Sequence, residues 1–354
     1  MKIAIFSDFH LGVINDQDII LDIQFKFIEN MIDYLKKNNI SEVIFMGDWF
    51  HSRKSINVKI LDASYKILDM FQKNNIHIYM IVGNHDIYLQ ENTEINSIKV
   101  YQEMNVSVVS SPIDIMLNEK TISLIPWGFK ITKPVDFIFG HFSFQGALYS
   151  NAMLNEHGEN PDEMINFASL IFSGHFHYPK EYSYKKGKIV VVGSPLQLTW
   201  GEIDEAKGFY VLDLETNYYE MIGNTTLPIR HKINLSDMKN DEFKKKLNNI
   251  VKGNFIKLVI DEEIGYEKIL KIENFLNKMN PIRSIEVEYF KKSNKCKLPE
   301  LVNMPERSFN KYDVIKTYVD NLGKDSNQKF DTNILMNKIS ELYNSTEQIG
   351  CNNE

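Results

Sequence analysis

Short apolar runs, each followed by a cluster of polar residues, repeat along the first two-thirds of the chain. The runs are Ile3 to Phe6, Val43 to Met46, Ile78 to Val82, Phe137 to Phe139 and Leu170 to Phe172. Each is apolar throughout rather than alternating, which predicts strands buried on both faces. Between the first three lie helical patterns, Ile23 to Lys37 and Val58 to Asn74. The second spaces Ile60, Leu61, Ser64, Ile67, Leu68 and Phe71 for one buried face. Strand and helix in alternation imply parallel connections, with the polar clusters gathered along the carboxyl edge of a sheet, where open α/β sheets place their sites. Further strands are expected at Lys188 to Val192 and Gly208 to Leu214, enough for a second sheet packed on the first.

The pattern changes after about residue 225. Phe255 to Ile260 reads as a strand, Tyr266 to Met279 as a helix and Ile282 to Phe290 as a strand. The stretch from Lys291 to Asn310 is polar and broken by Pro299 and Pro305, as a linker is. Beyond it, Val314, Ile315, Tyr318, Val319 and Leu322 form one helical stripe, and Ile334, Leu335, Ile339, Leu342 and Tyr343 another. The expected division is therefore 1–225, 226–292, a linker at 293–309, a helical segment at 310–345 and a tail at 346–354.

Composition narrows the class. With 354 residues, 43% hydrophobic and 25% charged, the chain is an ordinary globular protein and neither disordered nor fibrous. Cys296 and Cys351 are too few for a zinc cluster or a disulfide framework and fit a reducing cytosol. Asp8 interrupts the first apolar run too early for a signal peptide, and no run approaches the roughly 18 residues of a membrane span. A cytoplasmic protein without a membrane partner is expected, in a host cytoplasm if a phage encodes it. The net charge of -7 argues at first against nucleic acid. Its distribution reverses that: residues 1–225 carry -10, residues 226–300 carry +5 and residues 301–354 carry -2. The basic stretch continues through Lys291, Lys292, Lys295 and Lys297 and suits a salt-sensitive contact with phosphates, although lysines also solvate surfaces.

The candidate chemistry lies in the clusters. Six of nine histidines, His10, His51, His85, His141, His175 and His177, follow the apolar runs. One such histidine is ordinarily a core or turn residue; six in equivalent positions point to a site. His77, His157 and His231 lack that context. The clusters are Asp8-Phe9-His10, Gly47-Asp48-Trp49-Phe50-His51, Gly83-Asn84-His85-Asp86, Gly140-His141 and Gly174-His175-Phe176-His177. Carboxylate, imidazole and amide oxygen without thiolate suit Mn²⁺ or Fe²⁺, with Zn²⁺ possible. The inventory exceeds what one ion takes, so two ions are implied, with Asp48 as the bridging carboxylate. The glycine before each later cluster fits a tight exit from a strand.

Asp-x-His, Gly-Asp-x-x-His, Gly-Asn-His-Asp, Gly-His and Gly-His-x-His, in this order over residues 8 to 177, resemble the calcineurin-like metallophosphoesterases. The resemblance implies a four-layer αββα sandwich. It also implies a ligand set: Asp8, His10, Asp48 and His177 for one ion, and Asp48, Asn84, His141 and His175 for the other. His85 matches the family's catalytic histidine, with His51 holding the phosphate or relaying a proton. Asp86 would fix the tautomer of His85 or serve as a turn residue. Asp8-Phe9-His10-Leu11-Gly12, Gly193-Ser194-Pro195, Trp200-Gly201-Glu202 and Lys207-Gly208-Phe209 are similar to the nuclease subunits of the SbcC-SbcD type, those of tailed phages in particular.

That similarity implies an Mn²⁺-dependent DNA exonuclease or endonuclease for recombination, repair or replication, with residues 226–292 as a DNA-contacting cap. It further implies that residues 310–345 bind an SMC-like ABC ATPase, and that helices at 58–74 and 91–104 pair two copies, unless they simply cover the sheet. Two other readings compete. A phosphomonoesterase or cyclic-nucleotide phosphodiesterase would use the same metal set but has no evident use for a cap and docking helices. A catalytically inert scaffold would be expected to lose ligands, and none is missing here.

Overall fold

The computed structural model describes residues 1–289, apart from 14–17, 89–91, 151–152, 204 and 263. The described residues belong to one compact unit. The expected linker, helical segment and tail lie outside the described residues.

The elements run in chain order β1 (Lys2–Phe6), α1 (Asp18–Lys37), β2 (Glu42–Phe45), α2 (Val58–Lys73), β3 (His77–Ile81), β4 (Val106–Val109), β5 (Ile113–Leu117), β6 (Lys120–Ile125) and β7 (Phe137–His141). There follow β8 (Leu148–Ser150), β9 (Met153–Leu154), α3 (Pro161–Met164), β10 (Leu170–Gly174), β11 (Lys180–Ser183), β12 (Lys188–Val191), β13 (Gly208–Asp213) and β14 (Tyr219–Gly223). Two six-stranded sheets result, in the orders β14-β13-β1-β2-β3-β4 and β11-β12-β10-β7-β6-β5. In the first, β1 to β4 are parallel and β13 and β14 antiparallel. In the second, β6, β7, β10 and β12 are parallel, with β5 and β11 antiparallel at the edges.

The apolar runs are buried on both faces because each sheet packs on two layers. From β1, Ile3 and Ile5 point into the core shared with Phe139 and Phe172 of the second sheet, while Ala4 and Phe6 face α1 and α2. The outer face of the second sheet is covered by Met164, Ile165, Ala168, Phe144 and Phe176. The four layers of the metallophosphoesterase fold are thus present, the last built from the one-turn helix α3 and irregular chain. Of the segment expected as a helix at 91–104, the described residues 92–104 are instead turns around a short 3-10 helix at Lys99–Tyr101. Leu61, expected on the buried face of α2, lies on its outer face and is 37% exposed.

After β14 comes a three-stranded parallel sheet, β15 (Arg230–Asn234), β16 (Phe255–Ile260) and β17 (Glu286–Tyr289), with α4 (Asp241–Val251) and α5 (Tyr266–Asn277) in the crossovers. It has its own core of Ile233, Leu247, Val251, Leu258, Ile269 and Leu276. Asn240 starts α4 by accepting hydrogen bonds from Glu242 N and Phe243 N.

Candidate metal centre

Every histidine cluster lies at or just beyond the carboxyl end of a strand: Asp8 and His10 after β1, Asp48 and His51 after β2, Asn84 and His85 after β3, His141 closing β7, and His175 and His177 after β10. Parallel pairing brings these ends together, with His141 paired to Gly174 across β7 and β10. The backbone there is sharply bent. Asp8, His10, Asp48 and His175 all have positive φ, at 53°, 48°, 62° and 83°. Such conformations cost of order 1 to 3 kcal/mol each and collect at functional sites. The glycines serve close approach: a Cβ on Gly83 would meet Asp48 N and Asp48 Oδ1 at 2.3 Å, and one on Gly47 would meet His141 Nδ1 at 2.5 Å.

All seven expected ligands converge. His10 Nε2 lies 3.0 Å from His177 Nε2, 3.7 Å from Asp48 Oδ2 and 4.0 Å from Asp8 Oδ1, and His177 Nε2 is also 4.0 Å from Asp8 Oδ1. On the other side His141 Nε2 lies 3.5 Å from Asp48 Oδ1 and 2.8 Å from Asn84 Oδ1, which is 3.1 Å from His175 Nδ1. Ligand atoms bonded to one ion at about 2.1 Å stand roughly 3 to 4 Å apart, which is the spacing of these neighbouring pairs. Asp48 gives one oxygen to each group, as a bridging carboxylate does. Asp8 Oδ1 is buried without a hydrogen-bond partner among the described residues, which suits a donor meant for a cation. Asp8, His10 and His177, and likewise Asp8, Asp48 and His141, form groups able to hold an ion. The residues fit divalent metal binding.

Electrostatics follow from burial and close packing. Burial raises Asp8 despite the nearby His141 and His177, and burial holds His10 well below the ordinary imidazole range. Burial also works against the charge of Asp48, but His141 and His10 outweigh it and hold the carboxyl below its usual range. Likewise burial is overcome at His141, which Asp48 lifts to about 9, whereas burial and the neighbouring His141 take His175 down to about 3.

His85 and His51 flank the His10 side. The His10 and His85 rings are 4.8 Å apart edge to face, and His51 stacks on His85 at 5.7 Å. His85 Nδ1 donates to the backbone carbonyl of His51 at 2.7 Å, which leaves Nε2 as the ring's free lone pair in the neutral form. The tautomer of His85 is therefore set by His51 and not by Asp86. The Asp86 carboxylate instead accepts backbone N–H groups of Gly83, Asp48 and Trp49 at 2.9 to 3.0 Å. Asp86 is a turn residue that pins the Asp48 loop to the Asn84 loop, and burial with the charge of Asp48 pushes it up to about 7.

Three contributors carried no role in the sequence reading. Trp127 packs its ring 4.8 Å from His175 and 5.8 Å from His141. Beside it opens a cavity of about 540 Å³ lined by Trp127, Phe129, Phe142, Phe167 and His141. Glu202 and Lys207 lie behind His177, with Glu202 Oε1 3.4 Å from His177 Nδ1. Burial opposes the charge on Glu202, yet the hydrogen bond from His177 and the Lys207 ammonium hold it low. Their only signal was membership of the segments shared with the SbcD-type chains. Of the remaining histidines, His77 bridges Glu42 and Ser107 on the two neighbouring strands, a structural role.

Among known proteins, the chain is 31% identical over 261 residues to exonuclease subunit 1 of Enterobacteria phage T4, covering 68% of this chain and 75% of that one. It is 24% identical over 271 residues to the D subunit of the nuclease SbcCD of Staphylococcus epidermidis, covering 65% and 70%. A solved archaeal phosphodiesterase shares 15% identity at a TM-score of 0.36, over 63% of this chain and all of that one, too distant to bear on function. Among the described residues no helix is long and apolar enough to cross a membrane. Residues 1–191, which contain the whole convergent centre, match the calcineurin-like phosphoesterase family; the chain belongs to that family and is a metal-dependent phosphodiesterase.

Proposed function

We propose that this chain is an Mn²⁺-dependent DNA exonuclease or endonuclease that holds two ions. Asp8, His10, Asp48 and His177 take one ion, and Asp48, Asn84, His141 and His175 the other. The observation that carries the reading is the position of Asp48, whose two oxygens face two separate groups of ligand atoms. Bound ions would neutralise the phosphodiester and lower the pKa of an attacking water toward neutrality.

The chain's own residues supply the rest. His85, its Nδ1 proton committed to the His51 carbonyl, presents Nε2 to the leaving oxygen and delivers a proton there when charged. The His51 ring, exposed and stacked on His85, lies on the solvent side where it holds a phosphate oxygen or passes the proton on. The aromatic walls of the cavity beside His141 offer stacking surface to a base next to the scissile bond.

The named relatives are nuclease subunits, which supports DNA as substrate and a partner subunit; in this reading the partner is an SMC-like ABC ATPase and residues 310–345 are its docking segment. The basic module at 226–292 is the part suited to duplex phosphates, Lys244, Lys245, Lys246 and Lys252 being exposed on and after α4. A homodimer is supported by α2, which turns Val58, Leu61 and Tyr65 outward at 82%, 37% and 55% exposure while its other face packs on the sheet.

The test is cleavage by the full chain, with Mn²⁺, of linear duplex and circular single-stranded DNA beside a nitrophenyl phosphomonoester. DNA cleavage that disappears on chelation is expected. Hydrolysis of the monoester alone would sink the reading in favour of a small-ester phosphatase.

A further inference from the structure

His177 enters the centre from the loop after β10, and two contacts from distant residues hold it. Its ring Nδ1 faces Glu202 Oε1 at 3.4 Å, and its backbone carbonyl accepts from Lys207 Nζ at 2.6 Å. Glu202 and Lys207 are themselves paired at 2.9 Å, closing a ring of three residues. Glu202 is fixed further by Ser194 Oγ at 2.9 Å, Leu198 N at 3.3 Å and Thr199 Oγ1 at 3.2 Å. Both charged groups are buried, at 7% and 6% exposure. A buried ion pair contributes little net stability for its desolvation, so its use lies in orientation. A carboxylate on Nδ1 selects the Nδ1–H tautomer and turns the Nε2 lone pair toward Asp8 and His10.

The segment that carries Glu202 is also gripped from the other side. The Trp200 ring lies 5.4 Å from the Arg230 guanidinium and 4.7 Å from Lys257 Nζ. Arg230 opens β15 and Lys257 lies on β16, so both belong to the three-stranded module. Arg230, 3% exposed, donates Nε to Gln197 O at 3.1 Å and Nη2 to Leu198 O at 3.2 Å, and its backbone N–H bonds Gln197 Oε1 at 2.6 Å. One stretch, Gln197–Glu202, therefore touches the module at one end and a metal-ligating histidine at the other.

We infer that Glu202 is the positioning residue of His177, and that the stretch Gln197–Glu202 couples the seating of the three-stranded module to metal binding. The inference rests on the metal assignment proposed above. Coupling of this kind is reciprocal: a module displaced by its ligand changes the affinity for the ion at His177, and that ion resists the displacement.

The test is calorimetric titration of Mn²⁺ into the full chain as wild type, Glu202→Gln, Glu202→Asp, Arg230→Lys and the Glu202→Gln/Arg230→Lys double variant. Wild type should bind two ions. Glu202→Gln should weaken one of them by about 10- to 100-fold and leave the other nearly unchanged, with Glu202→Asp recovering part of the loss. Arg230→Lys should weaken the same ion by about threefold, and the double variant should lose less than the product of the two. Unchanged affinities in Glu202→Gln, with two ions bound by wild type, overturn the positioning role. An unchanged Arg230→Lys overturns the coupling. Wild type that binds no Mn²⁺ overturns the metal assignment and this inference with it. If Arg230→Lys does not fold, wild type labelled with 5-fluorotryptophan decides the coupling: Zn²⁺ should shift the ¹⁹F resonance of Trp200, identified through Trp200→Phe, and an unmoved resonance refutes it.

Discussion

The strand-edge centre and the three-stranded module are built on opposite principles. In the centre, side chains from the carboxyl ends of five strands meet within a few ångströms, most of them buried and four of them on backbone with positive φ. In the module, lysines stand exposed along α4 with no shared geometry to keep. Coordination needs every donor in place, so one substitution removes the function. Attraction to phosphates is a sum over charges, so it declines in steps. The difference predicts all-or-none behaviour at the edge and graded behaviour in the module.

The sharpest break should come at Asp48. Asp48→Asn is expected to lose bound Mn²⁺ at both positions together with all cleavage, read by metal analysis and nuclease assay. Retention of one full-affinity ion would show that the two groups of ligands do not share it. His85→Gln separates chemistry from binding: cleavage should fall by about 10²- to 10⁴-fold while metal content stays at the wild-type level. Full activity would remove His85 from proton transfer.

Neutralising Lys244, Lys245, Lys246 and Lys252 to Gln should weaken DNA binding progressively and flatten its salt dependence by about 0.9 in slope for each phosphate no longer neutralised. Cleavage of a small diester that reaches only the centre should not change. DNA affinity indifferent to all four changes would end the division of labour between the two regions. The smallest effect is expected at α2, where Val58→Ser with Tyr65→Ser should shift a dimer toward monomer in sedimentation without altering the fold. A wild-type chain that sediments as a monomer at every concentration would contradict pairing through this face.

The same contrast explains what could be read from the chain beforehand. β1, β2, β3, β7 and β10 were legible because a strand buried on both faces is apolar at every position. β15, whose sequence is Arg-His-Lys-Ile-Asn, leaves no such run. The helix α4 hides a narrow apolar face of Leu247 and Val251 among lysines and asparagines. The residues that meet at the strand edge were legible because residue type itself carries their chemistry, six histidines in equivalent places being hard to explain otherwise. Glu202 and Lys207 were not, since their roles depend on which atoms they meet, and for Asp86 the sequence left two roles open. Asp86 sits beside His85 in sequence, yet its carboxylate turns to the amides of Gly83, Asp48 and Trp49. The tautomer of His85 depends on a backbone carbonyl, a group that every residue has and no sequence pattern reveals.

The central claim is that one carboxylate organises two ions at the edge of the first sheet. Anomalous scattering from crystals of the Mn²⁺-loaded chain tests it most directly. Two peaks about 3.5 to 4 Å apart, one on each side of the Asp48 carboxylate, are the expected result. A single peak, or two peaks of which either lies away from Asp48, would contradict the account.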